Sequence, residues 1–183
     1  MERKKIKEES YIIAYHTQEE RGKELDEPID CYRDDAWLGI GSYYWVDLEF
    51  AHYWGHDSKT NTGHYCIYKS EVNEEGILNA TFSEEEYLFF LRSIEKARKK
   101  LTISRKDVTL KNVHQFLSDE VWSSCNLKGI IFDDLPVNPK KGGRVYSDIL
   151  PLYYKKRIQM VVFDKNNIKT FQPYLRYEKC IKI

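Results

Sequence analysis

Cysteine is sparse and unpaired in pattern: Cys31, Cys66, Cys125 and Cys180 stand far apart, with no CxxC motif. No structural zinc site is expected from such spacing, and no disulfide framework stands out. An excess of charge of one sign is also lacking, since 29 Lys and Arg face 29 Asp and Glu. A protein that coats nucleic acid through bulk charge needs surplus cations, so that class is disfavoured; a local basic patch is not. No apolar run approaches the length of a membrane span, and the opening MERKKIKEES contains no apolar run at all. Neither a transmembrane segment nor a signal peptide is expected. No internal repeat or low-complexity linker divides the chain. These absences predict a single domain over residues 1–183, in a reducing, cytoplasmic compartment and without membrane contact.

Aromatic residues are abundant instead: 14 Tyr, 8 Phe and 4 Trp. Tyr and Trp have apolar bodies and polar tips, which suit both cores and ligand platforms. The run Tyr11–Tyr15 reads as a buried strand ending at His16-Thr17. Residues 18–36 are polar, contain Pro28 and read as a loop. Two glycines ahead of Tyr43, Tyr44 and Trp45 suggest a tight turn feeding a strand. Asp47–Gly55 fits a short helix, and His64–Val72 a strand. Ser83 with Glu86 is a capping-box signal, followed by Tyr87, Phe90, Leu91 and Ile94 at helical spacing. The basic stretch Lys96–Lys100 suits a helix C-terminus.

A second helix is predicted over Leu110–Trp122 and a strand over Lys128–Phe132. Residues 133–156 hold Pro136, Pro139, Gly142, Gly143 and Pro151 and read as a long loop. Long irregular loops in small domains are often functional. The last elements read as a strand pair, Arg157–Phe163 and Ile168–Phe171, joined by a turn at Asp164–Asn167. Mixed strands around a helical middle predict the α+β class.

Three separated segments have the look of one site. The first is Tyr15-His16-Thr17. The second is Gly39-x-Gly41-x-Tyr43-Tyr44, followed by Ala51-His52-Tyr53-Trp54. The third is Arg157-Ile158-Gln159 leading into Met160-Val161-Val162-Phe163. In this order they resemble the ADP-ribosyltransferase superfamily, on its diphtheria-toxin and poly-ADP-ribose polymerase side. Members there carry a histidine at a strand end, a Gly-x-Gly-x-Tyr strand with a small residue and an aromatic beyond it, and a polar residue on a late strand. That last residue is usually glutamate. The segments around Tyr43 and Gln159 look more narrowly like small bacterial members of this superfamily, many of them suspected toxins or phage-defence factors. The resemblance covers most of the chain in order, and the middle aligns only loosely.

The resemblance implies a split pair of antiparallel sheets with helices. It implies NAD as co-substrate and transfer of a single ADP-ribose to a macromolecule. His16 matches the family histidine that holds the adenosine-side ribose. Thr17 lies where the nicotinamide amide is usually bound. Tyr43 matches the tyrosine that stacks on nicotinamide, with Tyr53 as the second face of that sandwich and Trp54 as the alternative. Gln159 falls at the position of the catalytic glutamate, so His16, Tyr43 and Gln159 are the catalytic candidates. The chemistry suits these residue types. Nicotinamide in NAD is a flat cation that aromatic faces attract. A polar group at the ribose 2′-hydroxyl orients the charge that develops as the glycosidic bond breaks. Glutamine can hydrogen-bond that hydroxyl but cannot accept a proton. Polymer formation is therefore not expected. Asp47, Glu49, Asp133 and Asp134 are the acids that could act in its place.

Other clusters are weaker. His52 and His56 have the helical spacing of two metal ligands, with Asp57 and His64 nearby, but the Glu of an HExxH motif is missing and no metal is expected. Ser123-Ser124-Cys125 with His114 makes no convincing nucleophile arrangement, and Cys125 reads as a core residue. In the long loop, Lys140, Lys141 and Arg144 precede Tyr153 and Tyr154. Cations interleaved with aromatics can grip a phosphate backbone and stack bases. In the resembling family this region helps select the acceptor, so nucleic acid is favoured slightly over protein. An antitoxin protein is a possible further partner. Two other readings stay open: an inactive module that binds NAD or ADP-ribose, and an NAD glycohydrolase.

Overall fold

The computed structural model describes residues 9–58, 61–134 and 156–178. Tyr11–Glu19 forms β1, which runs three residues beyond His16. It pairs antiparallel with β4 (His64–Asn73) along its whole length, from Tyr11↔Asn73 to Glu19↔Tyr65. On the far edge of β4 lies β8 (Ile168–Glu178), also antiparallel, with irregular register at Ile67/Tyr68 and Glu71/Val72. These three strands make one arm of the sheet.

The other arm is centred on β7 (Ile158–Val162), flanked antiparallel by β3 (Gly41–Trp45) and β6 (Gly129–Asp133). Short β5 (Ile77–Asn79) lies parallel to β6, and two-residue β2 (Asp30–Cys31) lies beside β3. The arms join between β1 and β3, where the register holds a single pair, Tyr15↔Trp45. The eight strands thus form one continuous sheet, β5-β6-β7-β3-β1-β4-β8 with β2 off the path, pinched at its middle. The class is α+β with a mostly antiparallel sheet.

Among the described residues, three helices of eight residues or more accompany this sheet. α1 (Leu48–Ser58) buries Phe50 and Ala51 with Trp45, Tyr65 and Ile67. Its Gly55 is a contact residue: an added Cβ would fall 2.4 Å from the Tyr65 ring. α2 (Glu84–Ile103) starts where the Ser83 side chain accepts from the Glu86 amide. Glu86 does not return that bond to Ser83 but accepts from the Asn79 amide, which ties α2 to β5. α3 (Leu110–Leu117) continues through a π-helical turn, Ser118–Trp122, and a last α turn to Cys125. α2 and α3 bury Phe90, Ala97, Leu101, Val113 and Leu117 against Ile130 and Val161 of the second arm. Among the described residues, no helix is long and apolar enough to cross a membrane.

Two expectations change here. β7 and β8 are not a hairpin, because both edges of β7 are taken by β3 and β6. Asp164 caps a 3₁₀ turn at Lys165–Asn167, and Asn167 donates to the carbonyls of Asn73 and Glu75. Those bonds carry the chain across to β4. Cys125 is exposed rather than buried. The π turn adds a residue to the helical repeat. The buried face consequently runs through Leu117, Val121 and Trp122 and leaves Cys125 outside.

Candidate active site at the sheet junction

Beyond Tyr15↔Trp45 the β1 and β3 strands have no further registered pair, and a cavity of about 540 Å³ opens there. That volume is in the range of small-molecule sites. His16 and Thr17 enter from β1, Tyr43 from β3, Trp54 from α1 and Gln159 from β7. The three sequence segments, the last more than a hundred positions after the second, therefore meet in one place.

Each of these side chains is held. His16 is 5% exposed, and its Nδ1 lies 2.8 Å from the Tyr43 carbonyl. A carbonyl only accepts, so the His16 Nδ1 carries a proton and donates to it. The Thr17 hydroxyl donates to the Ala51 carbonyl at 2.8 Å, which clamps α1 to β1. The Tyr43 hydroxyl accepts from the Leu38 amide and donates to the Gly39 carbonyl, both at 2.9 Å. Gly39 has φ +100°, a backbone conformation that favours glycine. Burial raises the Tyr43 hydroxyl well above the usual tyrosine range, so it stays protonated. Its ring is thus fixed by the loop that precedes β3.

The two aromatic candidates on α1 separate. Trp54 lines the cavity and packs beside Trp45, with ring centroids 6.3 Å apart. Tyr53 is 56% exposed, bonds to Glu49 through its hydroxyl and is not part of the cavity wall. Gln159 is 7% exposed and accepts a hydrogen bond from the Trp37 indole at 2.7 Å. Among the candidate acids, Asp134 lines the cavity. It pairs with Arg157 at 2.6 Å, and burial still outweighs that cation, raising its pKa above the usual carboxylate range. The Arg157 guanidinium lies over the Trp45 ring, 5.4 Å from its centre. Asp133 pairs instead with Lys156 at 3.5 Å.

Sequence reasoning missed Trp37, Arg21 and Arg33 as wall residues. Trp37 stands two places before Gly39, so a tryptophan at the entry to the Gly-x-Gly turn was its available signal. The two arginines sit in a stretch read as plain loop, where nothing marks them. Lys140, Lys141, Arg144, Tyr153 and Tyr154 lie outside the described residues. Of the histidines weighed as ligands, His52 packs its ring edge-on to Tyr177 at 4.3 Å, and His56 pairs with Asp57. His114 bonds to the Trp37 carbonyl at 2.8 Å rather than to Cys125.

Comparison with protein-family models finds no family that matches the chain, and comparison with curated proteins and with solved structures finds no match either.

Proposed function

We propose that this chain is an NAD-dependent mono-ADP-ribosyltransferase with an ADP-ribosyltransferase-like fold. One observation carries the reading: His16, Tyr43 and Gln159 line one cavity at the pinch of the sheet. The β1–β3 junction, joined by a single registered pair, supports the split-sheet part of this reading. In this reading the nicotinamide ring rests between Tyr43 and Trp54, which takes the place assigned to Tyr53. His16 holds the adenosine-side ribose, and Gln159 meets the nicotinamide ribose. Arg21 supplies positive charge for the diphosphate, while Arg33 on the same wall is paired with Asp35.

The bond from ribose C1′ to the nicotinamide nitrogen breaks, and nicotinamide leaves with the electron pair. The acceptor nucleophile forms a new bond to C1′ and loses its proton. Asp134 is the carboxylate of this cavity suited to take it, because its raised pKa makes it a better base than an exposed aspartate. Aromatic faces and fixed dipoles act more strongly on the cationic transition state in a partly dry cleft. The acceptor is a macromolecule, with nucleic acid favoured by the interleaved cations and tyrosines of residues 140–157. The small bacterial members that the chain resembles make a cytoplasmic toxin or defence effector, held by an antitoxin, the matching biological role.

The test is incubation with NAD labelled on its adenylate part, offering RNA, single-stranded DNA and lysate protein separately. Label on one acceptor, lost in His16→Ala and Gln159→Ala, is the expected result. A second reading, an inactive NAD- or ADP-ribose-binding module, is favoured by the Gln159 amide, which has no basic oxygen and gives its Oε1 to Trp37. Intact NAD without label supports it. Free nicotinamide without label supports a glycohydrolase.

A further inference from the structure

Trp37 and Gln159 are 122 positions apart and share one hydrogen bond of 2.7 Å. An indole N–H only donates, so the atom it meets must be the amide oxygen of Gln159. The orientation of this amide is therefore chemically determined. Its nitrogen, with two N–H groups, is the part of the side chain left to meet a ligand. Among the described residues nothing accepts from it.

The loop that presents the indole is fixed at several points. His114 Nε2 on α3 donates to the Trp37 carbonyl at 2.8 Å. The Tyr43 hydroxyl holds the next two residues, Leu38 and Gly39. The Trp37 ring packs against Phe132, with centroids 6.0 Å apart. Such a bond is preorganised, and ligand binding does not have to order it.

We infer that Trp37 is a positioning residue that makes Gln159 a hydrogen-bond donor, so the site selects a ligand oxygen that accepts at this point. A glutamate at position 159 would instead accept from a ligand hydroxyl. In NAD the matching group is a hydroxyl oxygen of the nicotinamide ribose, an assignment that rests on the function proposed above. The pairing itself does not depend on that function. Specificity follows from the polarity of this contact, since a site built around one partner rejects a ligand that leaves it unpaired.

The test uses ¹⁵N-labelled full-length protein. Four tryptophans give four indole N–H signals, and the one lost in Trp37→Phe belongs to Trp37. In Gln159→Leu, without ligand, that signal should shift, because its acceptor is gone. NAD affinity should fall about fivefold in Trp37→Phe, the size of one hydrogen bond. In the Gln159→Leu background the same change should cost less than about twofold, since the two residues act as one unit. A Trp37 signal unmoved by Gln159→Leu overturns the inference, as does a full fivefold loss in that background. If the signal shifts but wild-type protein binds no NAD, the pairing stands and the NAD reading fails.

Discussion

The two arms of the sheet are held together differently. In the β5-β6-β7-β3 arm the strands are apolar on both faces. Ile130 and Val161 face α2 and α3, while Ile131, Met160 and Val162 join a second buried cluster with Tyr44. Strands buried on both faces need continuous apolar runs, and Ile158–Val162 carries one polar residue, Gln159. The β1-β4-β8 arm is wetter. It leaves Ile13 and Tyr174 exposed and relies on stacked rings, Tyr68 on Phe171 at 4.5 Å and Tyr65 on Tyr177 at 5.4 Å. Gln159 stands on the deeply packed arm and His16 on the wetter one. A cleft opens at the seam between these two arms, beyond the single Tyr15↔Trp45 pair, and the candidate site occupies it.

The largest effect should come from breaking the deeply packed arm. Phe90 is buried against Trp122 and Phe132, so Phe90→Ala should cost about 3–5 kcal/mol of stability in urea denaturation. Phe171→Ala on the other arm should cost less, because Phe171 is only half-buried and stacks on one ring, Tyr68. Equal losses would erase the distinction between the arms. Next come the two walls of the cleft. Gln159→Ala and His16→Ala should each lower the transfer rate by about a hundredfold, as loss of a transition-state contact does. A fall in both rates at unchanged thermal stability separates site from scaffold.

Gly55→Ala sharpens the comparison on the wetter side. The added methyl meets the Tyr65 ring at 2.4 Å. Overpacking of about 1–3 kcal/mol should exceed the gain of about 1 kcal/mol in helix propensity. A stabilised Gly55→Ala protein would show that α1 is free to shift from β4. The smallest effect concerns pH. Burial lowers the pKa of His114 and of His52. Both are bound neutral, and the unfolded chain takes up the protons. Stability is therefore full above the unfolded value of about 6.5 and declines as pH falls through it. His114→Gln should flatten that decline between pH 7.5 and 5.5, leaving the share due to His52, as read by thermal melts.

Much of this arrangement was legible in order along the chain. The apolar run before His16, the Ser83 cap and the Gly39-x-Gly41 turn each rest on local chemistry. The α+β class follows from them. Partners of a strand are not local, which is why β7 and β8 read as a hairpin although each pairs elsewhere. The π turn at Ser118–Trp122 has no periodic signature, so the exposure of Cys125 was hidden. Trp37 was hidden for a third reason. Its role depends on a bond to a residue 122 positions away, and its neighbours read as loop.

Equilibrium binding of NAD, measured by calorimetry on the wild type, His16→Ala and Gln159→Ala, tests the central claim most directly. The seam site predicts saturable binding of one NAD per chain, weakened by both substitutions, one on each arm. Absence of NAD binding, or binding indifferent to both changes, would contradict it.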